Sequence, residues 1–251
     1  MIPLPVFFLA GHIAHRGLHD RAAGRPENSL AAFRAAVGIG VAIELDVQPS
    51  KDGEAMAFHD YDLARLTGRE GAVDDLSAAA LGETPLLGGD EGVPTLRAAL
   101  AAVAGRVPVL IEVKDRDGDM GPRVGPLEDA VIDALDGYEG DVAVMSFNPH
   151  SVARMADRAP HLPRGLTTSA FEARHWPELS DATRARLAAI PDLDRVGGAF
   201  ISHQADALQM PRVAEIKASG LPVLCWTIRS RAQEAMARRI ADAVTFEGYL
   251  P

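Results

Sequence analysis

One cysteine, Cys225, is all the thiol in this chain, so no internal disulfide can hold it together. It lies in the apolar run from Pro222 to Ile228, the setting of a small buried hydrophobe rather than of a reactive thiolate. No apolar run approaches the roughly 18 residues of a membrane-spanning helix. The apolar start, Met1 to Ala10, lacks a basic leading region and runs almost directly into His15, so it does not read as a secretory signal, and the cytoplasm is the expected location. Cations are in deficit: 25 Lys and Arg against 35 Asp and Glu leave a formal charge of −10, which repels nucleic acid and anionic lipid over most of the surface. A small phosphate substrate is still compatible, because a few fixed cations or one metal ion can reverse the potential inside a cleft. No repeat or low-complexity segment is present, and Gly and Pro stand at ordinary levels.

What is there is 47% apolar sequence over 251 residues, enough to bury one large core, and residues 1–251 are expected to form a single domain. Short β-rich runs at 12–16, 42–47, 54–59, 108–114, 142–147, 164–169, 198–202, 222–228 and 242–246 alternate with helical patterns at 28–38, 95–105, 124–136, 149–159, 180–190, 211–219 and 230–240. This is the pattern of an α/β protein, a (β/α)8 TIM barrel with one strand to spare. The spare strand is 54–59. The stretch from Val47 to Gly53 is too short for a helical crossover, and Asp52-Gly53 signals a hairpin, so 42–47 and 54–59 are expected to pair antiparallel. A turn centred between Asp52 and Gly53 places His59 opposite Asp46. Residues 61–94 then form a short insertion after the second barrel strand.

Barrel enzymes carry their chemistry at the C-terminal ends of the strands. Here those ends read His15-Arg16-Gly17, Glu44-Leu45-Asp46, His59-Asp60 and Glu112-Val113-Lys114. Residues two apart on a strand share a face, which groups Glu44 with Asp46 and Glu112 with Lys114. Three carboxylates converging on one mouth repel one another strongly unless a cation neutralises them, and an all-oxygen set suits a single divalent metal, Mg²⁺ or Ca²⁺. His15 and His59 suit general acid and base, with the order of roles open. Arg16 and Lys114 offer donors to phosphoryl oxygens. Asp60 either holds the tautomer of His59 or simply forms a turn. His12, His19, His150, His161, His175 and His203 show no partner pattern and read as surface or loop histidines.

The ordered set His15-Arg16-Gly17, Pro26-Glu27-Asn28-Ser29, Glu44-Leu45-Asp46-Val47, Lys51-Asp52-Gly53, His59-Asp60, Ile111-Glu112-Val113-Lys114, Ser146-Phe147 and Trp226-Thr227 resembles the glycerophosphodiester phosphodiesterases over nearly the whole chain. The resemblance implies a metal-dependent barrel enzyme that hydrolyses small glycerophosphodiesters to sn-glycerol 3-phosphate and an alcohol. It implies Glu44, Asp46 and Glu112 as metal ligands, His15 and His59 as the acid–base pair, and Arg16 and Lys114 as phosphate contacts. Glu27 would orient Arg16 or join the metal's surroundings, and Trp226 would wall the glycerol pocket. Two segments depart from the family pattern: Arg229 stands where Asn is usual, and Thr245-Phe246-Glu247-Gly248-Tyr249 replaces a Thr-Asp-x-Pro segment. Both bear on which alcohol leaves.

Two other readings remain at this point. A lysophospholipase D or phospholipase C-like enzyme on the same barrel would need an apolar rim, for which Leu86-Leu87 and Ala170-Phe171 with Trp176 are the candidates. A catalytically silent barrel is disfavoured because every member of the acid, base and metal set is retained. Stable membrane association and nucleic-acid binding are not expected, and the sequence leaves the oligomeric state open.

Overall fold

The computed structural model describes residues 2–116 and 118–251. Its strands are β1 (His12–Ala14), β2 (Ala42–Pro49), β3 (Ala55–Ala57), β4 (Val109–Val113), β5 (Val142–Ser146), β6 (Arg164–Thr168), β7 (Phe200–Gln204), β8 (Val223–Ile228) and β9 (Ala243–Phe246). Helices at Leu30–Ile39, Leu96–Val103, Pro126–Leu135, Pro149–Arg158, Asp181–Ala188, Pro211–Ala218 and Arg231–Ala237 alternate with them. The fold is the (β/α)8 TIM barrel, with β3 the antiparallel addition. Among the described residues no helix is long and apolar enough to cross a membrane.

The chain divides into two compact units. One comprises Met1–Ile13, Asp115–Val124 and Ala143–Pro251. Within it β5 to β9 run parallel, each in register with the next: Met145 pairs with Gly165, Thr167 with Ser202, Ser202 with Leu224 and Cys225 with Val244. These strands are buried almost throughout rather than on alternate residues, as expected where both faces of a parallel sheet are covered. Helix starts here carry side-chain caps: Asn148 accepts from the His150 amide, Ser180 from Thr183 and Ser230 from Gln233. Cys225 is fully buried, as its apolar run indicates.

His203 corrects the sequence reading, since it is fully buried on β7 rather than on the surface. Its Nδ1 lies 2.8 Å from Thr168 Oγ1 and its Nε2 3.2 Å from the carbonyl of Ala207. Burial pushes its pKa down to about 4, so the ring is neutral and its two nitrogens are spent on structure.

The other unit comprises Ala14–Lys114 and Gly125–Val142. Here β2 pairs parallel with β4, Asp46 opposite Glu112, and antiparallel with β3. The hairpin register differs by one from the expected one. Val47 faces Ala57 and Gln48 faces Met56, so Asp46 stands opposite Phe58, whose amide donates to its carbonyl over 3.0 Å. The reason lies in the turn. Lys51, Asp52 and Gly53 form a three-residue loop, closed by Gly53 N to Ser50 O and Ser50 N to Glu54 O, with Gly53 at φ 87° in the left-handed region. A two-residue loop of Asp52 and Gly53 would need both residues in the left-handed region, and of the two Gly53 alone is there. His59 lies beyond the end of β3, where strand alternation no longer dictates its direction, and its carbonyl accepts from Gln48 Nε2.

Residues 61–94 fold into short helices, Ala64–Thr67 and Ala78–Gly82 among them, and bury an apolar cluster of Met56, Phe58, Leu63, Leu66, Val73, Leu81, Leu86 and Val93. Each such side chain removed from water contributes about 1.5–3 kcal/mol, so the insertion is packed onto the hairpin rather than loosely appended.

Candidate active site

All the polar groups read at the ends of the early strands belong to the unit holding Ala14–Lys114. The chain leaves β1 at Ala14 and turns sharply through Arg16, at φ 53°, and Gly17, at φ 78°. A Cβ on Gly17 would stand 2.9 Å from the Ala32 carbonyl carbon and 2.9 Å from its Cβ, so no other residue fits there without displacement. The turn directs the Arg16 amide onto Glu44 Oε2 at 2.9 Å and brings His15 Nε2 to 4.0 Å from the same oxygen.

The parallel register of β2 and β4 sets the acidic centre. Glu44, Asp46 and Glu112 are all buried and offer oxygens within 4.8 Å of one another, confirming the face-sharing inferred from residue parity. Lys114 enters between them, its Nζ 2.7 Å from Asp46 Oδ1 and in contact with Glu112 Oε1. Arg16 approaches from the other side, with Nε 3.3 Å from Asp46 Oδ2 and Nη1 2.5 Å from Glu27 Oε1.

The charges are unequally satisfied. Burial, joined by repulsion from Asp46 and Glu112, pushes the Glu44 carboxyl well above its ordinary range. Burial acts the same way on Asp46, but Lys114, His59, Arg16 and His15 outweigh it and hold that carboxyl well below its range. Lys114 is buried too, yet Asp46 and Glu112 keep its ammonium above its usual value. The centre therefore has more buried negative charge than its own cations neutralise, and the deficit falls on Glu44. A hard divalent cation fits this donor set, which is all carboxylate oxygen.

Two residues of the centre escaped the sequence reading. Asn28 is fully buried at φ 57°, donates from Nδ2 to Asp46 Oδ2 over 3.0 Å and accepts the Asp46 amide at 3.3 Å. It does not open the following helix; Ser29 does, accepting from the Ala32 amide. The signal available was its type, since Asn tolerates the left-handed region better than most residues. Arg65, from the insertion, binds both oxygens of Glu27 and both of Asp60.

His59 Nδ1 lies 2.6 Å from Asp60 Oδ1. Although burial opposes it, hydrogen bonds from His59 and Arg65 hold the Asp60 carboxyl below its usual range, so an ionised partner faces the ring. The pairing leaves Nε2 of His59 for proton exchange. Glu27 is likewise held low against burial by Arg65 and Arg16, and in this structure it pairs with cations.

Trp226 belongs to the other unit. There its Nε1 donates to the Ser202 carbonyl over 3.0 Å, and its ring meets Phe147 edge-on at 5.5 Å. Phe147 also packs on Phe171 and Trp176, so two of the residues suggested as an apolar rim instead join a partly buried aromatic cluster.

A TIM barrel with a buried carboxylate triad beside two imidazoles and two cations has the groups an enzyme needs to handle a phosphoryl group. The sequence profile of the glycerophosphoryl diester phosphodiesterase family matches residues 15–246. The chain belongs to that family and is an enzyme that hydrolyses glycerophosphodiesters. Among its relatives, the protein YhdW of Bacillus subtilis is 28% identical over 233 residues, covering 89% of this chain and 88% of that protein. A glycerophosphodiester phosphodiesterase of Caldanaerobacter subterraneus is 33% identical over 168 residues, 61% of this chain and 65% of that one. The fold is shared with an Oleispira antarctica phosphodiesterase solved with the product sn-glycerol 3-phosphate, at a TM-score of 0.76 and 25% identity, over 94% of this chain and 92% of the other.

Proposed function

We propose that the enzyme releases sn-glycerol 3-phosphate and an alcohol from small soluble glycerophosphodiesters, by acid–base catalysis at a metal-dependent centre. The observation that carries this is the convergence of Glu44, Asp46 and Glu112 within 4.8 Å in a buried setting that leaves Glu44 short of positive charge. Those three residues would hold one Mg²⁺ or Ca²⁺. When bound, such an ion supplies Lewis-acid polarisation of a phosphoryl oxygen.

The chain's own groups do the rest. One of His15 and His59 takes a proton from the attacking hydroxyl and the other returns one to the leaving alkoxide, while Asp60 keeps Nδ1 of His59 engaged. Arg16 and Lys114, already fixed by carboxylates, present cationic donors to the phosphate. The charge of −10 supports a small soluble substrate over a membrane or nucleic-acid partner, and the cytoplasm is the location proposed with it.

The test is release of glycerol 3-phosphate from glycerophosphocholine and glycerophosphoethanolamine with Mg²⁺, with Ca²⁺ and with EDTA. Release with a metal and none with EDTA is expected. Undiminished release in EDTA overturns the metal requirement. Phosphocholine as product overturns the assigned bond, and activity confined to lysophosphatidylcholine overturns the substrate class.

A further inference from the structure

Among the described residues Arg65 is the cation that the insertion supplies to this centre, and its hydrogen bonds there go to two carboxylates that each grip a residue of the proposed mechanism. Its Nε donates to Asp60 Oδ2 at 2.6 Å and its Nη2 to Asp60 Oδ1 at 3.0 Å, while Nη1 and Nη2 donate to Glu27 Oε2 and Oε1 at 2.8 and 2.7 Å. Asp60 Oδ1 in turn faces His59 Nδ1, and Glu27 Oε1 faces Arg16 Nη1. One planar guanidinium thus spans two carboxylates that address an imidazole and a phosphate-contacting arginine. Its backbone is set by packing. Asp62 Oδ1 accepts the Ala64 amide at the start of the short helix, and Leu63 and Leu66 on either side of Arg65 sink into the apolar cluster of the insertion. The side chain remains 48% exposed, so it contributes little to the core it stands on.

We infer that Arg65 is a positioning residue for the phosphodiesterase reaction, holding Asp60 against His59 and Glu27 against Arg16. The inference rests on the acid–base role proposed for His59. Without Arg65, Asp60 has two oxygens and a single ring nitrogen to hold it, and Glu27 is free to rotate away from Arg16. Both lapses reduce the fraction of molecules arranged for proton transfer, not the affinity of the substrate.

The experiment compares Arg65→Ala, Arg65→Lys, Asp60→Asn, His59→Ala and the Arg65→Ala/Asp60→Asn double variant on glycerophosphocholine with saturating Mg²⁺, alongside their melting temperatures. Arg65→Ala is expected to lower kcat about 10- to 100-fold with KM within about threefold of the wild type. Arg65→Lys keeps the charge but cannot span two carboxylates and should recover little, whereas added guanidinium should restore part of the kcat of Arg65→Ala and methylammonium should not. The double variant should be slower than Asp60→Asn alone by clearly less than the factor Arg65→Ala shows in the wild type, because the part of the effect that runs through Asp60 is already lost while the part through Glu27 remains. If Arg65→Ala does not fold, Arg65→Lys decides: wild-type kcat in it overturns the inference. So does wild-type kcat in Arg65→Ala, or a double variant whose losses multiply. An inactive His59→Ala beside an unaffected Arg65→Ala refutes this inference alone, whereas a fully active His59→Ala removes the acid–base reading and this inference with it.

Discussion

Replacing Glu44 by Gln should stabilise the metal-free protein and at the same time blunt its response to metal. Glu44 is 2% exposed and its carboxylate oxygens lie within 4.8 Å of those of Asp46 and Glu112. At an effective dielectric of about 20, each such pair of charges repels by about 3 kcal/mol. Gln keeps the shape and an oxygen to accept the Arg16 amide, but carries no charge into the repulsion. Part of the relief is returned as lost attraction to Arg16, which leaves a net gain of about 2 kcal/mol. A gain near 2 kcal/mol corresponds to about 4–8 °C in Tm for a chain of this size.

The pH dependence gives the sharper test. The folded Glu44 carboxyl sits above its ordinary 4.5, so the wild type holds this stability in full below that value and loses it as pH rises through the folded value. The two proteins should therefore melt together at about pH 4 and diverge as the pH rises above the ordinary carboxyl range, the variant higher. Adding Mg²⁺ or Ca²⁺ at 100 times its Kd should stabilise the wild type by about 2.7 kcal/mol and the variant far less. Scanning calorimetry across pH, with EDTA and with metal, reads all of this. A Glu44→Gln protein that melts below the wild type in EDTA at alkaline pH, or a difference independent of pH, would refute the electrostatic account.

Further expectations concern the remaining parts. His15→Ala and His59→Ala should each lower kcat by about 10²–10⁴-fold with the circular dichroism unchanged, and near-wild-type turnover in either removes that residue from the mechanism. Gly17→Ala should cost about 1–3 kcal/mol in urea unfolding, because its Cβ meets Ala32 at 2.9 Å and the backbone holds φ 78°; equal stability would mean that the turn yields freely. Leu63→Ala, at a fully buried position of the insertion cluster, should cost about 2–5 kcal/mol in the same assay. His203 should titrate by NMR near 4 and not near 6.5, so the stability it confers is complete above 6.5 and drains as pH falls toward 4; a normal titration would contradict its burial.

The barrel was legible because its strands are short apolar runs bounded by turns, and the acidic centre because residue parity on a strand is a matter of covalent geometry. Glu44 and Asp46 must share a face of β2 whatever surrounds them, and β4 brings Glu112 level with Asp46. What escaped depends on contacts between distant segments or on a half-step of backbone. The hairpin register differs by one because Asp52-Gly53 suits both a two-residue and a three-residue loop, and the choice rests on whether Asp52 joins Gly53 in the left-handed region, which it does not. His203 looked like a loop histidine because nothing local announces that Thr168 waits on the neighbouring strand. Arg65 stands 38 positions from Glu27, and no periodicity connects a four-residue helix in an insertion to a carboxylate beside β1.

The satellite cluster under residues 61–94 also has a consequence for how the enzyme fails. A patch of side chains that pack on one another and on the tip of a hairpin can open while the strands of the barrel keep their hydrogen bonds. Such an opening carries Arg65 away from Asp60 and Glu27 and leaves the carboxylates of β2 and β4 in place. Warming would then extinguish turnover several degrees before the cooperative melt, reversibly and with the metal still held, and amides of the insertion would exchange with deuterium well ahead of those in β2 and β4. The insertion is in this sense the thermal fuse of the molecule.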